Sequence, residues 1–436
     1  MASQPTVGIY TLGCKVNQYE SEAIAEGFAA RGFAVVSPSD VCDVYVINTC
    51  TVTAESDRKS RQFIRRAISR NPEAYILVTG CLSQTAPEAL KTVSGIDYIC
   101  GNTDKLSVID AAERLLAAGK KNGTPRICVA PIEAAPFEEM HIKTFERTRA
   151  YVKIEDGCES HCTYCIIPRA RGSIRSKPME DVIGEVKALV ANGCREVVLT
   201  GIETASWGRD LGLSLADLLE AVDKIEGIGR VRLGSLDPSL IKPAFVERIA
   251  SLSSLAPHFH LSMQSGSNTV LALMKRKYNA EMALRGMRLL REAMPSVQFT
   301  TDMILGFPHE GEKEFEETLA FIEQAGFLMI HAFPYSARKD TPAAAMDGQV
   351  PEAIRRERVR ILSARQNEIR RGILEKALTE RPRLTVLFED YKNGFAYGHT
   401  DNFIQVRVPA PRAMHSIFAD VAVQSTDGDC LVGQLV

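Results

Sequence analysis

The chain has 436 residues, of which 45% are hydrophobic and 24% charged, with a formal net charge of −2. These values describe two or three ordinary globular domains and exclude a disordered or fibrous chain. A near-neutral balance gives no global attraction to nucleic acid, so any RNA-binding face must be a local patch.

The N-terminus has no basic segment followed by an apolar one, and it reaches the strand-like Thr6-Val7-Gly8-Ile9-Tyr10 almost at once. No apolar run approaches the length of a membrane span. Eleven cysteines, an odd number, are then expected as reduced thiols in the cytoplasm, kept for metal or catalysis, with no membrane partner.

From the start to about residue 130 strand and helix alternate: strands over 7–12, 43–48 and 75–79, helices over 21–31 and 54–70. Such alternation predicts an open parallel sheet covered by helices. Gly13-Cys14, Asn48-Thr49-Cys50 and Thr79-Gly80-Cys81 each close one of these strands. The carboxyl ends of parallel strands share one edge, where ligands bind, so Cys14, Cys50 and Cys81 are expected to converge. Three thiols and not four imply a second cubane with an open iron. Cys42, Cys100 and Cys128 lack this placement and read as buried small hydrophobes. Residues 131–149 mix Pro, Glu and Phe without a period and read as a linker.

Next comes Gly157-Cys158-Glu159-Ser160-His161-Cys162-Thr163-Tyr164-Cys165, three thiols spaced C-x3-C-x2-C. A tetrahedral zinc site wants four ligands, and no second pair follows within a finger's length. His161 as the fourth would be strained between two cysteines. Three close thiolates can hold three irons of a cubane, and the open fourth iron leaves a place for substrate. The plainer readings are three buried cysteines or a redox C-x-x-C.

Around this loop, over 150–350, strands are expected at 150–155, 196–200, 230–234, 258–262, 299–305 and 328–333, with helices between them. Six such units fit a partial (β/α)6 barrel, with function at the carboxyl ends of the strands. The residues just past those strands are Cys158, Gly201 with Glu203, Ser235, Gln264 with Ser265, Gly306 and Tyr335. The glycines could merely turn strands into loops, and Glu203, Ser235 and Gln264 could cap helices. On one shared face they could instead hold an amino group, a carboxylate and ribose hydroxyls. Cys194 and His309 read as structural and surface-loop residues.

Residues 351–383 read as a basic helical connector, with ten basic residues against five acidic ones. A solvated, ion-paired helix is the usual meaning; the excess also suits a phosphate-contacting face. Residues 384–436 are short β-rich runs, a small β-barrel in which Tyr391, Phe395, Tyr397 and Phe403 could stack on exposed bases or fill the core.

The cysteine loop, flanked by Lys153-Ile154-Glu155-Asp156 and by Ile166-Ile167-Pro168-Arg169-Ala170-Arg171-Gly172, resembles the radical S-adenosylmethionine (SAM) enzymes. Thr11-Leu12-Gly13-Cys14-Lys15-Val16-Asn17-Gln18, Val46-Ile47-Asn48-Thr49-Cys50-Thr51-Val52-Thr53 and Leu77-Val78-Thr79-Gly80-Cys81 are similar to the N-terminal motifs of the methylthiotransferases, and residues 384–436 resemble a TRAM domain.

The likeness covers nearly the whole chain. Ser262, where many members have proline, and His309, where many have glycine, depart from it. It implies SAM and two [4Fe-4S] clusters, one on Cys158, Cys162 and Cys165 and an auxiliary one on Cys14, Cys50 and Cys81. It places Tyr164 near the adenine and Gly201, Glu203, Ser235, Gln264, Ser265 and Gly306 along the SAM site. The same likeness implies a 5′-deoxyadenosyl radical that abstracts hydrogen from the substrate, and attachment of a methylthio group to an unactivated carbon.

The Thr11–Tyr19 segment looks most like the branch acting at C2 of N6-threonylcarbamoyladenosine (t6A) at position 37, in a tRNA anticodon stem-loop. An electron donor such as flavodoxin or ferredoxin is implied; the sulfur donor is not indicated. The base carries a carboxylate, so Arg169 or Arg171 is expected to approach it, or both form structural ion pairs. Isopentenyladenosine in tRNA, a ribosomal-protein aspartate, and a non-catalytic iron–sulfur RNA-binding module are the alternatives.

Overall fold

A computed structural model describes residues 4–119, 121, 123–133 and 135–436. Ala134, inside the expected linker, and residues 1–3, ahead of the first strand, lie outside the described residues.

The first domain is a parallel six-stranded sheet of β1 (Thr6–Thr11), β2 (Ala34–Val36), β3 (Val44–Thr49), β4 (Tyr75–Gly80), β5 (Tyr98–Cys100) and β6 (Arg126–Cys128), in the order β2-β1-β3-β4-β5-β6. Every residue of β3 and β4 is buried, because helices cover both faces and continuous apolar runs replace alternation. The helix Lys15–Ala30 packs Ile24 and Phe28 on Val7, Val44 and Val46. On the opposite face, Ile64 and Ala67 of the helix Ala54–Arg70 meet Ile47, Ile76 and Val78. Strands β2, β5 and β6 have three residues each, too few for a periodic signal.

One helix departs from expectation: it begins at Lys15, not 21. Cys14 occupies its N-cap without a side-chain cap bond, so the Ser/Thr/Asp signal of a helix start is absent. The shift makes Asn17, Tyr19 and Glu20 helical, buried and available to the next domain.

Among its described residues the stretch after β6 has no regular element before Ala150, yet it is a strap and not a loose linker. Met140 and Ile142 are buried in the central core. Glu138 Oε1 accepts the amides of Lys105 and Leu106 at 2.6 and 3.1 Å. The Met140 carbonyl accepts from the Tyr19 hydroxyl at 2.5 Å and from Lys177 Nζ at 2.8 Å.

The central domain carries β7 (Ala150–Lys153), β8 (Glu155–Asp156), β9 (Arg175–Ser176), β10 (Glu196–Thr200), β11 (Arg230–Leu233), β12 (Ser235–Leu236), β13 (His258–Gln264), β14 (Gln298–Leu305) and β15 (Met329–Pro334). Two parallel arcs, β11-β10-β7 and β12-β13-β14-β15, form the partial barrel. The short antiparallel pair β8–β9 joins Glu155 to Ser176 and Asp156 to Arg175, clamping both ends of the cysteine loop.

The helix Glu352–Glu380 leads to a closed barrel of β16 (Arg383–Lys392), β17 (Phe395–Thr400), β18 (Gln405–Pro409), β19 (Phe418–Thr426) and β20 (Leu431–Leu435). Much of that helix's positive charge is already ion-paired, as in Arg356–Glu352, Arg358–Glu310, Arg365–Glu323 and Arg370–Asp429. Phe403 is not free to stack on a base. Its ring lies 4.5 Å from those of both His258 and His399, at the foot of the central barrel.

Candidate functional site

β1, β3 and β4 are neighbours in the first sheet, so Cys14, Cys50 and Cys81 leave adjacent strand ends. Backbone conformation brings them close. Gly13 and Gly80 both have φ of +100°, where L side chains are strained. A Cβ on Gly13 would lie 2.9 Å from Cys50 Sγ, and one on Gly80 would overlap the Thr49 backbone. Asn17 Nδ2 donates to the carbonyls of Leu12 and Thr49 at 2.7 and 3.0 Å, stapling the ends of β1 and β3. Burial pushes the Cys50 thiol up to about 11.

The second set is held as firmly. Gly157 has φ of +90°, and a Cβ there would overlap the Ser173 carbonyl. Each thiol of the loop faces a hydrogen-bond donor. Cys158 Sγ receives the Ser160 amide at 3.3 Å, Cys165 Sγ the Ile167 amide at 3.4 Å, and Cys162 Sγ the Arg276 guanidinium at 3.0 Å. Burial, then the Glu203 carboxylate, raises the Cys158 thiol; burial raises Cys165 to about 12. Iron must therefore displace the protons of Cys158 and Cys165 on binding.

All-thiol donor sets, three at each place, suit iron–sulfur cubanes with one corner left open. Among the described residues no group of three or more His, Cys, Asp or Glu closes around a single ion.

The expected SAM contacts divide. Glu203 sits beside the loop: its carboxylate accepts from Cys158 Sγ at 3.2 Å, Ser160 Oγ at 2.8 Å and Lys277 Nζ at 3.4 Å. It lines a cavity of about 250 Å³ with Asp237 and Lys277. Gly201 leaves room for Glu155, whose Oε2 would be 2.5 Å from a Cβ there. Gly306 has φ of +72°, and the Arg355 side chain presses against it. Tyr164 lies edge-on to Phe307, with ring centroids 6.5 Å apart. Ser235 and Gln264 are half-buried at their strand ends, Gln264 with φ of +67°. Ser265 turns away: it is buried, with its hydroxyl 3.4 Å from Thr318 Oγ1.

The two arginines also divide. Arg171 is fully buried, donating to Glu20 at 2.5 Å, Asp156 at 3.1 Å, Asn17 at 2.5 Å and Cys81 Sγ at 3.4 Å. Its donors are committed to the protein, so it is a structural tie between the two thiol sets and does not reach a substrate carboxylate. Arg169 is exposed and pairs with Asp340 at 3.4 Å.

Arg276, Asp237, Asn17 and Glu20 were not singled out from sequence. Arg276 also donates to Asp237 at 3.2 Å and to the Ser262 carbonyl at 3.0 Å. It lies ten positions beyond Gly266, and no local pattern marks it.

Comparison with known proteins agrees with this geometry. Residues 152–322 match the radical SAM superfamily, and residues 6–101 match "Uncharacterized protein family UPF0004". "Threonylcarbamoyladenosine tRNA methylthiotransferase MtaB" of Bacillus subtilis (strain 168) is 40% identical over 92% of this chain and 90% of its own. The chain belongs to the radical SAM methylthiotransferases. The protein of the same description from Aquifex aeolicus (strain VF5) is 38% identical, over 92% of this chain and 96% of its own. A "tRNA-2-methylthio-N(6)-dimethylallyladenosine synthase" from Moorella thermoacetica is 36% identical over 84% of each. In fold, the radical SAM methyltransferase TsrM of Kitasatospora setae aligns with TM-score 0.57 at 16% identity, covering 78% of this chain and 77% of that one. As a family member the enzyme uses SAM and two [4Fe-4S] clusters. Among the described residues no helix is long and apolar enough to cross a membrane.

Proposed function

We propose that the enzyme converts t6A at position 37 of tRNA to its 2-methylthio derivative. The observation that carries this reading is the pairing of two three-thiol sites across one domain boundary, tied by Arg171, in a chain whose t6A-acting relatives reach 40% identity. The relative from Moorella thermoacetica named for dimethylallyladenosine matches at 36%.

Cys158, Cys162 and Cys165 hold the radical cluster, and Cys14, Cys50 and Cys81 the auxiliary one. When bound, the clusters and SAM supply the reducing electron, the hydrogen-abstracting radical and the place for sulfur. The chain's own residues do the positioning. Glu203, charged and beside Cys158, is placed to hold the SAM amino group. Tyr164 and Phe307 offer an apolar wall for the adenine. Gly201 and Gly306 make room for the Glu155 and Arg355 side chains that pack behind the strand ends. Arg276 and the amides of Ser160 and Ile167 stabilise thiolate charge at the radical site. The partner is the anticodon stem-loop, met by the exposed face of the C-terminal barrel; the electron donor is a flavodoxin- or ferredoxin-like protein in the cytoplasm.

The test is nucleoside mass spectrometry of tRNA from cells lacking this gene. The 2-methylthio derivative should vanish and t6A accumulate; the wild-type gene should restore it and Cys158→Ala should not. Loss of methylthiolated isopentenyladenosine instead would assign the enzyme to that substrate.

A further inference from the structure

The barrel interior holds a second gathering of ionisable groups, separate from both cysteine sets. A cavity of about 140 Å³ is lined by Lys15, Arg149, Arg232, His258, His260 and His331, among others. Lys15 is the residue after Cys14 and comes from the first domain, so that domain inserts one cation into the barrel of the next.

The other cations around the cavity are already engaged. Arg149 and Arg232 pair with Glu196 at 2.6 and 2.8 Å, and Arg149 also pairs with Glu389 at 2.5 Å. Asp302 is bonded to His260 Nε2 at 3.3 Å. Lys15 lines the same cavity, yet makes no ion pair among the described residues. His258 is only 6% exposed and its Nδ1 has no partner; its Nε2 faces Thr300 Oγ1 at 3.0 Å.

A half-buried ammonium without a counter-ion and a buried imidazole nitrogen without a partner are costly unless a ligand completes them. The complement is a small group with a carboxylate and a hydroxyl. An isopentenyl chain would leave these polar atoms unpaired. The volume suits a side-chain-sized group and not a whole nucleoside, so the attached base stays at the mouth.

We propose that this cavity is the recognition subsite for the threonyl arm of the modified adenosine, with Lys15 pairing with its carboxylate and Asp302 accepting from its hydroxyl. The assignment rests on the t6A reading above and adds the residues that read the arm.

The experiment uses the reconstituted full-length enzyme and two anticodon stem-loops, one carrying t6A and one its methyl ester. Wild type should bind the acid roughly tenfold or more tightly than the ester, the size expected for one charge-assisted contact. Lys15→Met should bind both alike, at the level of the ester. A Lys15→Met enzyme that keeps the wild-type preference for the acid would overturn the assignment. So would one that retains this preference while losing SAM affinity, since Lys15 would then hold the cofactor's carboxylate.

Should Lys15→Met lose iron at Cys14, the decision falls to wild type and Asp302→Ala. Equal binding of acid and ester by wild type, or Asp302→Ala still favouring the threonyl arm over a glycyl analogue, counts against the subsite. Failure of the t6A reading itself looks different: wild type would methylthiolate an isopentenyladenosine stem-loop and neither t6A one.

Discussion

Three of the six clustered cysteines follow a glycine with φ between +90° and +100°: Gly13, Gly80 and Gly157. Each glycine lets the backbone reverse at a strand end while the next side chain turns inward. Gly80 has ψ of −164°, a region essentially closed to other residues at roughly 1–3 kcal/mol. Gly80→Ala should therefore displace Cys81 and leave about four irons per chain where two cubanes give about eight, as iron analysis after anaerobic reconstitution will read. Glu138 offers a titration. Burial raises it to about 7, against the pull of Lys153 and the Leu106 amide. Its folded carboxyl thus keeps a proton that the unfolded chain loses near about 4.3. That contribution is full below the unfolded value and is lost as pH rises through about 7. Glu138→Gln keeps an oxygen for the Lys105 and Leu106 amides, and should flatten the profile and raise stability at pH 8 by ~1 kcal/mol. Denaturant melts at pH 5 and pH 8 measure it.

At the scale of one element, the helix Lys15–Ala30 joins most of the parts. Its N-cap is Cys14, Lys15 enters the barrel, Asn17 staples two strand ends, and Tyr19 reaches the Met140 strap. Glu20 completes a buried network with Arg171, Lys105 and Lys153. Burial opposes ionisation of Glu20, but Arg171, Lys105 and Lys153 outweigh it and hold the carboxyl well below its usual range. That stability is present at neutral pH and is lost as pH falls through the lowered value. Arg171→Met would leave the buried oxygens of Glu20, Asp156 and Asn17 without the guanidinium bonds they share, which costs about 3 kcal/mol or more. A melt of the variant decides the role: unchanged stability with a raised KM for tRNA would return Arg171 to the substrate.

At the scale of the whole molecule, the C-terminal barrel closes the foot of the central one. Arg230 and Arg232 donate to the Thr400 carbonyl at 3.2 and 2.7 Å, and Asn402 Nδ2 to the Ser296 carbonyl at 2.8 Å. Phe403, with φ of +72°, lies between two histidine rings. Glu196 holds Arg149, Arg230 and Arg232 together. Burial opposes its ionisation, yet Arg232, Arg149 and Arg230 bring it down to about 2, so this junction persists until pH falls through that value. Phe403→Ala should weaken docking by roughly 3 kcal/mol, seen as faster hydrogen exchange in β16 to β20 with little change in β1 to β6.

The sequence by itself determined the class of fold and the two three-cysteine sets, because strand periodicity and thiol spacing are local properties; the enzyme family followed from the likeness of its motifs. It also placed Cys14, Cys50 and Cys81 on one edge, since parallel strands share their carboxyl ends. It put the start of the helix after Cys14 six residues late, because that N-cap is a cysteine, and it took a buried strap for a linker. Only the tertiary structure decided what the charged residues do. Arg171 resembles a free arginine in sequence but is enclosed by Glu20, Asp156 and Asn17; Lys15 resembles a surface lysine but lines the barrel cavity. A charge acquires its role from groups that are distant in sequence, 151 positions away for Glu20 and Arg171, and no local pattern carries that pairing.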